Sequence, residues 1–167
     1  MRELLLALAV IAGPVCAQDT GLETVAEGLA VSAPDMLMRA AMANCIAYDL
    51  DEAITRIEAA GWDSDTDDGG LTTLWRDEIY AQINAEGGLC IVSSPIVDMT
   101  SAGIVAGDLM TTLYGGTPVT EVDDAGCALI SSDAELDDYV YLSSDGDDPT
   151  CENTGQGGSA LHYFYFE

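Results

Sequence analysis

Four cysteines constrain the fold of this chain more than any other feature of its sequence. Cys45, Cys90, Cys127 and Cys151 all follow an apolar leader of the kind found in exported proteins, and an even number of cysteines in an exported chain indicates disulfide bonds. No two of them form a Cys-x-x-Cys pair, so neither a zinc site nor thioredoxin-like redox chemistry is supported. We therefore expect two disulfides, for which three connectivities are open.

The leader has the pattern of a cleaved signal peptide. In MRELLLALAVIAGPVCAQ, Arg2 precedes an apolar run, and Val15 and Ala17 occupy the positions that a signal peptidase reads. The run is shorter than the roughly 20 residues that a bilayer-spanning helix needs. We expect residues 1–17 to be removed together with Cys16, which leaves a periplasmic or secreted protein with no transmembrane segment in the mature chain.

The chain also carries an extreme excess of negative charge. It has 30 acidic residues against 4 basic ones, a formal net charge of −26, and no lysine. Such a field repels nucleic acid, anionic lipid headgroups and phosphorylated substrates, and it attracts cations. Adaptation to a saline medium explains this charge without any partner, whereas a cationic protein or peptide is the class of partner that the charge favours.

The first half of the chain contains two predicted helices. One begins at Ala33-Pro34-Asp35, because proline and aspartate are favoured in a first helical turn. Asp49, followed three residues later by Glu52, predicts the capping box of a second helix that Gly61 ends. The weakly periodic residues 18–31 are expected to form a loose leader.

Strands are predicted around a third helix. Residues 71–83 suit a helix or a strand, and we favour a strand because residues 84–88, NAEGG, resemble a hairpin loop before the apolar LCIVSSP. The third helix begins at Asp98 or Thr100 and ends at Gly115. Its predicted buried stripe is formed by Ile104, Val105, Leu109 and Leu113. Three further strand candidates, CALISS, YVYLSS and SALHYFYF, follow it.

This order of elements predicts a single α+β domain over residues 32–167. It favours two layers, a mainly antiparallel sheet with helices packed on one face, and no internal repeat is detectable. If CALISS and YVYLSS form a hairpin, Cys127 lies at the end of the sheet from which the chain continues to Cys151. We therefore expect a Cys127–Cys151 disulfide, and by exclusion Cys45–Cys90, which would join the first helix to the sheet.

Two acidic clusters are candidate calcium sites, because calcium prefers carboxylate and carbonyl oxygens. In GWDSDTDDGG, Asp63, Asp65 and Asp67 have the spacing of the first EF-hand ligands, but neither possible register provides both the glycine and the closing glutamate of that motif. The second candidate lies near the Cys127–Cys151 end of the sheet and has six potential ligands: Asp123, Asp124, Asp145, Asp147, Asp148 and Glu152. The alternative is that both clusters are solvated turns.

Little else in the sequence predicts chemistry. His162 is the only histidine, and no Gly-x-Ser-x-Gly motif accompanies it, so Ser-His-Asp catalysis is not indicated. Tyr139, Tyr141, Tyr163 and Tyr165 lie two residues apart on two predicted strands, and they would form a platform for a sugar or peptide if they face outward together.

The function that the sequence favours is a non-enzymatic binding or interaction module, with a cationic partner. No catalytic residue is predicted. A calcium-stabilised structural module is one alternative, with calcium as the only cofactor expected. A carboxylate-dependent hydrolase is the other, because the chain has enough acidic residues to bring two carboxylates together.

Overall fold

A computed structural model gives the fold of residues 21–124, 126–131, 139–145, 151 and 157–164. The predicted signal peptide lies outside these described residues. Within them the chain forms four helices: α1 (Leu22–Ala26), α2 (Pro34–Ala47), α3 (Leu50–Ala59) and α4 (Met99–Tyr114). The strands are β1 (Asp63–Thr66), β2 (Thr72–Arg76), β3 (Ile79–Asn84), β4 (Leu89–Ser94), β5 (Val119–Val122), β6 (Ala128–Ser131), β7 (Tyr139–Ser144) and β8 (Ser159–Phe164).

The first two predicted helices begin where local signals place them. Pro34 is the first residue of α2. The side chain of Asp49 caps α3 by accepting a hydrogen bond from the backbone N–H of Glu52. Gly61, with a left-handed φ of 85°, follows the end of α3. These signals act within a single turn of helix, so they do not depend on the rest of the fold.

The third predicted helix is also capped as expected, but its buried face differs. Asp98 accepts hydrogen bonds from the backbone N–H groups of Ser101 and Thr100, which lower the pKa of Asp98. In the predicted stripe Leu109 is fully buried, whereas Ile104 is 63% exposed. The apolar side of α4 is therefore wider than the surface that its neighbours cover.

Residues 21–31 form part of the folded domain rather than a loose leader. They contain α1, and Leu22, Ala26 and Leu29 are buried in the core. The carbonyl oxygen of Leu29 accepts a hydrogen bond from Nε1 of Trp62, 3.1 Å away. The few apolar residues of this segment give too weak a periodicity for a helix to be predicted.

The strands form one antiparallel sheet in the order β1-β2-β3-β4-β8-β7-β6-β5. Helices α2, α3 and α4 pack against this sheet and enclose the hydrophobic core. The predicted α+β class, with a mainly antiparallel sheet and helices on one face, is confirmed.

Residues 71–83 form strands, as favoured, but they form two rather than one. Asp77 and Glu78 separate β2 from β3 and have φ angles of 48° and 64°. Positive φ at both central residues is the geometry of the tight turns that match strand twist. The predicted NAEGG hairpin loop is confirmed, and Oδ1 of Asn84 accepts a hydrogen bond from the N–H of Gly87 within it.

The two halves of the sheet have the same topology. β1–β4 and β5–β8 are successive antiparallel meanders, and they meet where β4 pairs with β8. In this pair Leu89 lies opposite Phe164, and Ser94 lies opposite Ser159. The strands β1, β2, β3 and β4 therefore occupy positions in the sheet equivalent to those of β5, β6, β7 and β8. The sequence gives no sign of a repeat, because the halves share strand order and not residue types.

Both predicted disulfides are present. Cys45 on α2 is bonded to Cys90 on β4, with Cα atoms 6.2 Å apart, and this bond joins the helical layer to the sheet. Cys127, just before β6, is bonded to Cys151. The geometric argument for the pairing is therefore confirmed.

One buried polar side chain connects the helices. Asn44 on α2 is fully buried, and its Nδ2 donates to the carbonyl oxygens of Ala26 and Ala40 at 2.9 and 2.8 Å. Its Oδ1 accepts a hydrogen bond from Nε of Arg56 on α3. Each polar atom of this amide thus has a partner, which is the condition for burying it without a large loss of stability.

Candidate functional site

The face of the sheet opposite the helices is only partly covered. Across its centre, Ile91 lies opposite His162, His162 opposite Tyr141, and Tyr141 opposite Leu129. All four side chains are partly exposed. We call this surface, on the side of Ile91, His162, Tyr141 and Leu129, the open face.

A cleft of about 480 Å³ lies on the open face over β6, β7 and β8. Its lining is mainly aromatic and aliphatic, with a few polar groups, and consists of Asp123, Leu129, Tyr139, Tyr141, Ser143, His162 and Phe164. We call it the tyrosine cleft. A concave and mostly apolar surface with a small number of placed polar groups is the usual form of a ligand site.

Tyr141 connects this cleft to a disulfide. Its hydroxyl donates to Sγ of Cys127 at 2.7 Å and lies 3.3 Å from Sγ of Cys151. Its ring meets the ring of His162 edge to face, with centroids 5.2 Å apart. Burial, and then the carboxylate of Asp123, raise the pKa of Tyr141. The phenol is therefore neutral at pH 7 and is held in one orientation.

Ser143 and His162 form a hydrogen bond, but the serine is buried. Oγ of Ser143 lies 2.8 Å from Nε2 of His162, and it also lies within hydrogen-bonding distance of the carbonyl oxygen of Ser144, 3.0 Å away. The direction of the Ser143–His162 hydrogen bond depends on the tautomer of His162. Ser143 is only 1% exposed, so a substrate carbonyl has no access to it.

His162 lines the cleft as a neutral side chain rather than as a charged one. Burial lowers the pKa of His162 from its ordinary value of 6.5. The imidazole is neutral at pH 7, and it adds no positive charge to the cleft.

The tyrosines predicted to share a platform lie on both faces of the sheet. Tyr139 and Tyr141 line the tyrosine cleft, whereas Tyr163 points into the core and is 7% exposed. Tyr165 lies outside the described residues. The alternation along each strand was predicted correctly, but the pairing of β7 with β8 places His162, and not Tyr163, beside Tyr141.

The first acidic cluster is a hairpin. Asp63 and Asp65 are exposed on the edge strand β1. In the turn that follows, Oδ1 of Asp67 accepts hydrogen bonds from the N–H groups of Gly69 and Leu71 at 2.8 and 3.0 Å. An aspartate of this type stabilises a turn, so the side chain of Asp67 has the structural role of the turn alternative.

The second acidic cluster is described only in part. Asp147, Asp148 and Glu152 lie outside the described residues. Asp123 accepts a hydrogen bond from the backbone N–H of Cys127 and lines the tyrosine cleft, while Asp124 is exposed and Asp145 is partly buried. Across the part of the chain that the structure describes, no three His, Cys, Asp or Glu side chains converge in a way that would hold a metal ion.

Three residues of the cleft were not singled out from the sequence as parts of a ligand site: Leu129, Ser143 and Phe164. The alternation in SALHYFYF does place Phe164 on the side of His162. The missing information is that β8 lies between β4 and β7, because this pairing joins segments that are distant in the sequence.

Comparison with other proteins assigns no function to this site. No family model, curated protein or solved structure matches the chain. Among the described helices, none has the length and apolar character needed to cross a bilayer. The inference of function therefore depends on the tyrosine cleft itself.

Proposed function

We propose that this protein is a non-enzymatic binding module that holds a cationic peptide, or a basic segment of a protein, in the tyrosine cleft. The observation that carries the proposal is the cleft of about 480 Å³ with aromatic walls, on the face of the sheet that the helices leave open. Aromatic faces attract lysine and arginine side chains, by about 0.5–2 kcal/mol for each contact. Their rigid rings also provide contact area at little cost in conformational entropy.

The charges of the molecule support a cationic ligand. Asp123 contributes a carboxylate to the cleft, and the whole chain has a net charge of −26. A field of this sign raises the association rate of a basic ligand. The neutral imidazole of His162 does not oppose such a ligand at pH 7.

The hydrogen bonds in the cleft argue against a catalytic role for its serine. A nucleophilic serine gives its proton to a base and faces the substrate. Ser143 is instead buried, and the carbonyl oxygen of Ser144 competes with the imidazole for its proton. Recognition of a ligand by the exposed walls of the cleft requires neither proton transfer from Ser143 nor contact with its hydroxyl.

Isothermal titration with a short amidated peptide of alternating arginine and phenylalanine tests the proposal. We expect the peptide to bind and its affinity to fall as sodium chloride is added. Phe164→Ala and Tyr139→Ala should each weaken binding by about five- to tenfold, because one aromatic contact contributes roughly 1–1.5 kcal/mol. The same peptide with glutamate in place of arginine should not bind.

Tyr80→Ala is the matched control. Tyr80 and Phe164 are each 38% exposed, and both lie on the open face, but Tyr80 is outside the cleft. Its removal should leave the affinity unchanged. If Tyr80→Ala weakens binding as much as Phe164→Ala, or if the glutamate peptide binds equally well, the tyrosine cleft is not a site for cationic ligands.

A further inference from the structure

The helices cover the two halves of the sheet differently. In the first half, α3 lies against β2 and β3 and buries Leu50, Ala53 and Ile57. These residues have the i, i+3, i+7 spacing of an amphipathic helix. The counterparts of β2 and β3 in the second half are β6 and β7, and within the described residues their extensive helix contacts come from α4 alone.

A groove of about 450 Å³ lies over β6 and β7, the counterparts of the strands that α3 covers. It runs between α4 and the strands β5, β6 and β7, and its apolar lining includes Ile104, Pro118, Ala128, Ile130 and Leu142. We call it the α4 groove. Ile104 is 63% exposed, and Val122, which lies beside Ala128 on the same side of the sheet, is 67% exposed. Clustered exposure of this kind is typical of an interaction surface.

The charges near the α4 groove favour a basic partner. Residues 77–167 contain no lysine or arginine, and the exposed Asp108 lines the groove. Two copies of a chain with a net charge of −26 repel each other, which disfavours a second copy as the occupant. A partner with lysine or arginine would supply the charge that this half of the molecule lacks.

We propose that the α4 groove docks an amphipathic helix from another protein, with apolar residues spaced like Leu50, Ala53 and Ile57 and with basic residues beside them. Such a helix would bury Ile104 and Val122. The groove lies on the helical side of the sheet, whereas the tyrosine cleft lies on the open face. The two proposals are therefore independent.

Fluorescence anisotropy with a labelled peptide and the oxidised full chain tests the proposal. The probe copies residues 49–60, the α3 segment, and carries Asp51→Lys, Glu52→Lys and Glu58→Lys. We expect this basic peptide to bind. The unmodified peptide has the same apolar stripe, and its acidic residues should weaken binding by roughly tenfold or more through charge repulsion.

Two variants test whether the peptide binds in the α4 groove. Ile104→Gln should weaken binding roughly tenfold, because it removes an apolar side chain that the peptide would bury. Gly103→Ala should also weaken it, since the added Cβ would enter the groove 3.6 Å from Cδ2 of Leu142. Alanine is a better helix former than glycine, so the melting temperature of this second variant should not fall.

Ile96→Gln and Phe164→Ala are the controls. Ile96 is also exposed, at 52%, but does not line the groove, and Phe164 reports on the tyrosine cleft. The proposal is overturned if the basic peptide does not bind, if both peptides bind equally, or if Ile96→Gln matches Ile104→Gln. Loss of binding only in Phe164→Ala would place the peptide in the tyrosine cleft. A dimer that Ile104→Gln dissociates, detected by sedimentation, would assign the groove to a second copy.

Discussion

His162 makes the stability of the fold depend on pH. Burial lowers its pKa in the folded chain, whereas the unfolded chain has an ordinary value near 6.5. At a pH between these two values the unfolded state binds more protons, so protonation favours unfolding. Stability is therefore unaffected by His162 above about pH 6.5, and it falls as the pH decreases from there to the folded pKa.

We predict that His162→Gln removes the loss of stability that protonation of His162 causes at low pH. Glutamine still presents a polar group to Ser143, but it does not take up a proton. Urea unfolding from about pH 7.5 to about pH 5.5 should show the wild type losing more stability than the variant, since carboxylates titrate mainly below this range. Parallel curves for the two proteins would mean that the folded chain accepts the proton as readily as the unfolded chain.

Single residues differ in how far the sequence predicts their roles. Asp49 and Asp98 were predicted as helix caps, because a cap depends on residues two or three positions away. Asn44 was not predicted as a buried link, because one of its partners is the carbonyl oxygen of Ala26 and another is Arg56. Those partners are determined by how three helices pack, which residue spacing does not contain.

Among the elements, the two disulfides differ in the length of chain that they close. Cys45–Cys90 spans 45 residues and Cys127–Cys151 spans 24. We predict that Cys45→Ala with Cys90→Ala costs about 2–4 kcal/mol of unfolding free energy. Replacing Cys127 and Cys151 should cost about 0.6 kcal/mol less, because loop-closure entropy grows with loop length.

Denaturant unfolding of the two double variants measures this difference. Cys45 and Cys90 are both fully buried, so their replacement also loosens the core and should widen the difference. A larger loss of stability in the Cys127 and Cys151 variant would show that the second disulfide does more than close a loop, for example by orienting Tyr141.

The two strands at the edges of the sheet were not predicted from the sequence, whereas the central strands were. β1 is exposed along its whole length, and β5 is exposed at three of its four positions. An edge strand pairs on one side only and needs no apolar face, so hydrophobic alternation does not reveal it. β4, β6, β7 and β8 carry the apolar residues of the core, and this alternation made them predictable.

Two residues of the tyrosine cleft, Tyr139 and Tyr141, were singled out from the sequence as parts of a ligand platform. Tyr139 and Tyr141 were expected to face the same way, and they do. Their neighbours could not be predicted, because the order of strands in a sheet depends on contacts between distant segments. The sequence therefore indicated an aromatic surface, but not the inclusion of Phe164 or the loss of Tyr163.

For the whole molecule, we predict that salt raises the free energy of unfolding by screening. Among the described side chains the one ion pair joins Arg76 to Asp77, so most carboxylates have no basic partner to offset their repulsion. Sodium, magnesium and calcium chlorides at matched ionic strength should stabilise the fold equally. Thermal unfolding against a chelator measures this, and a specific gain in calcium would support the calcium-stabilised alternative.

The double variant Asp63→Asn and Asp65→Asn tests whether charge repulsion limits the stability of the fold. The two carboxylates lie on one side of β1 and are exposed. Their removal should stabilise the protein at low salt. The gain should disappear at high salt, where the Debye length falls to about 3 Å. A gain that persists at high salt would indicate a local effect on the strand instead of charge repulsion.

The position of β8 between β4 and β7 has a consequence for synthesis. β4 precedes β8 by the whole of α4 and β5–β7, so folding of β1–β4 before β8 has been made leaves the edge of β4 unpaired. Unpaired apolar edges recruit one another in newly made chains. A truncated chain that lacks β8 should aggregate rather than persist as half of a working protein.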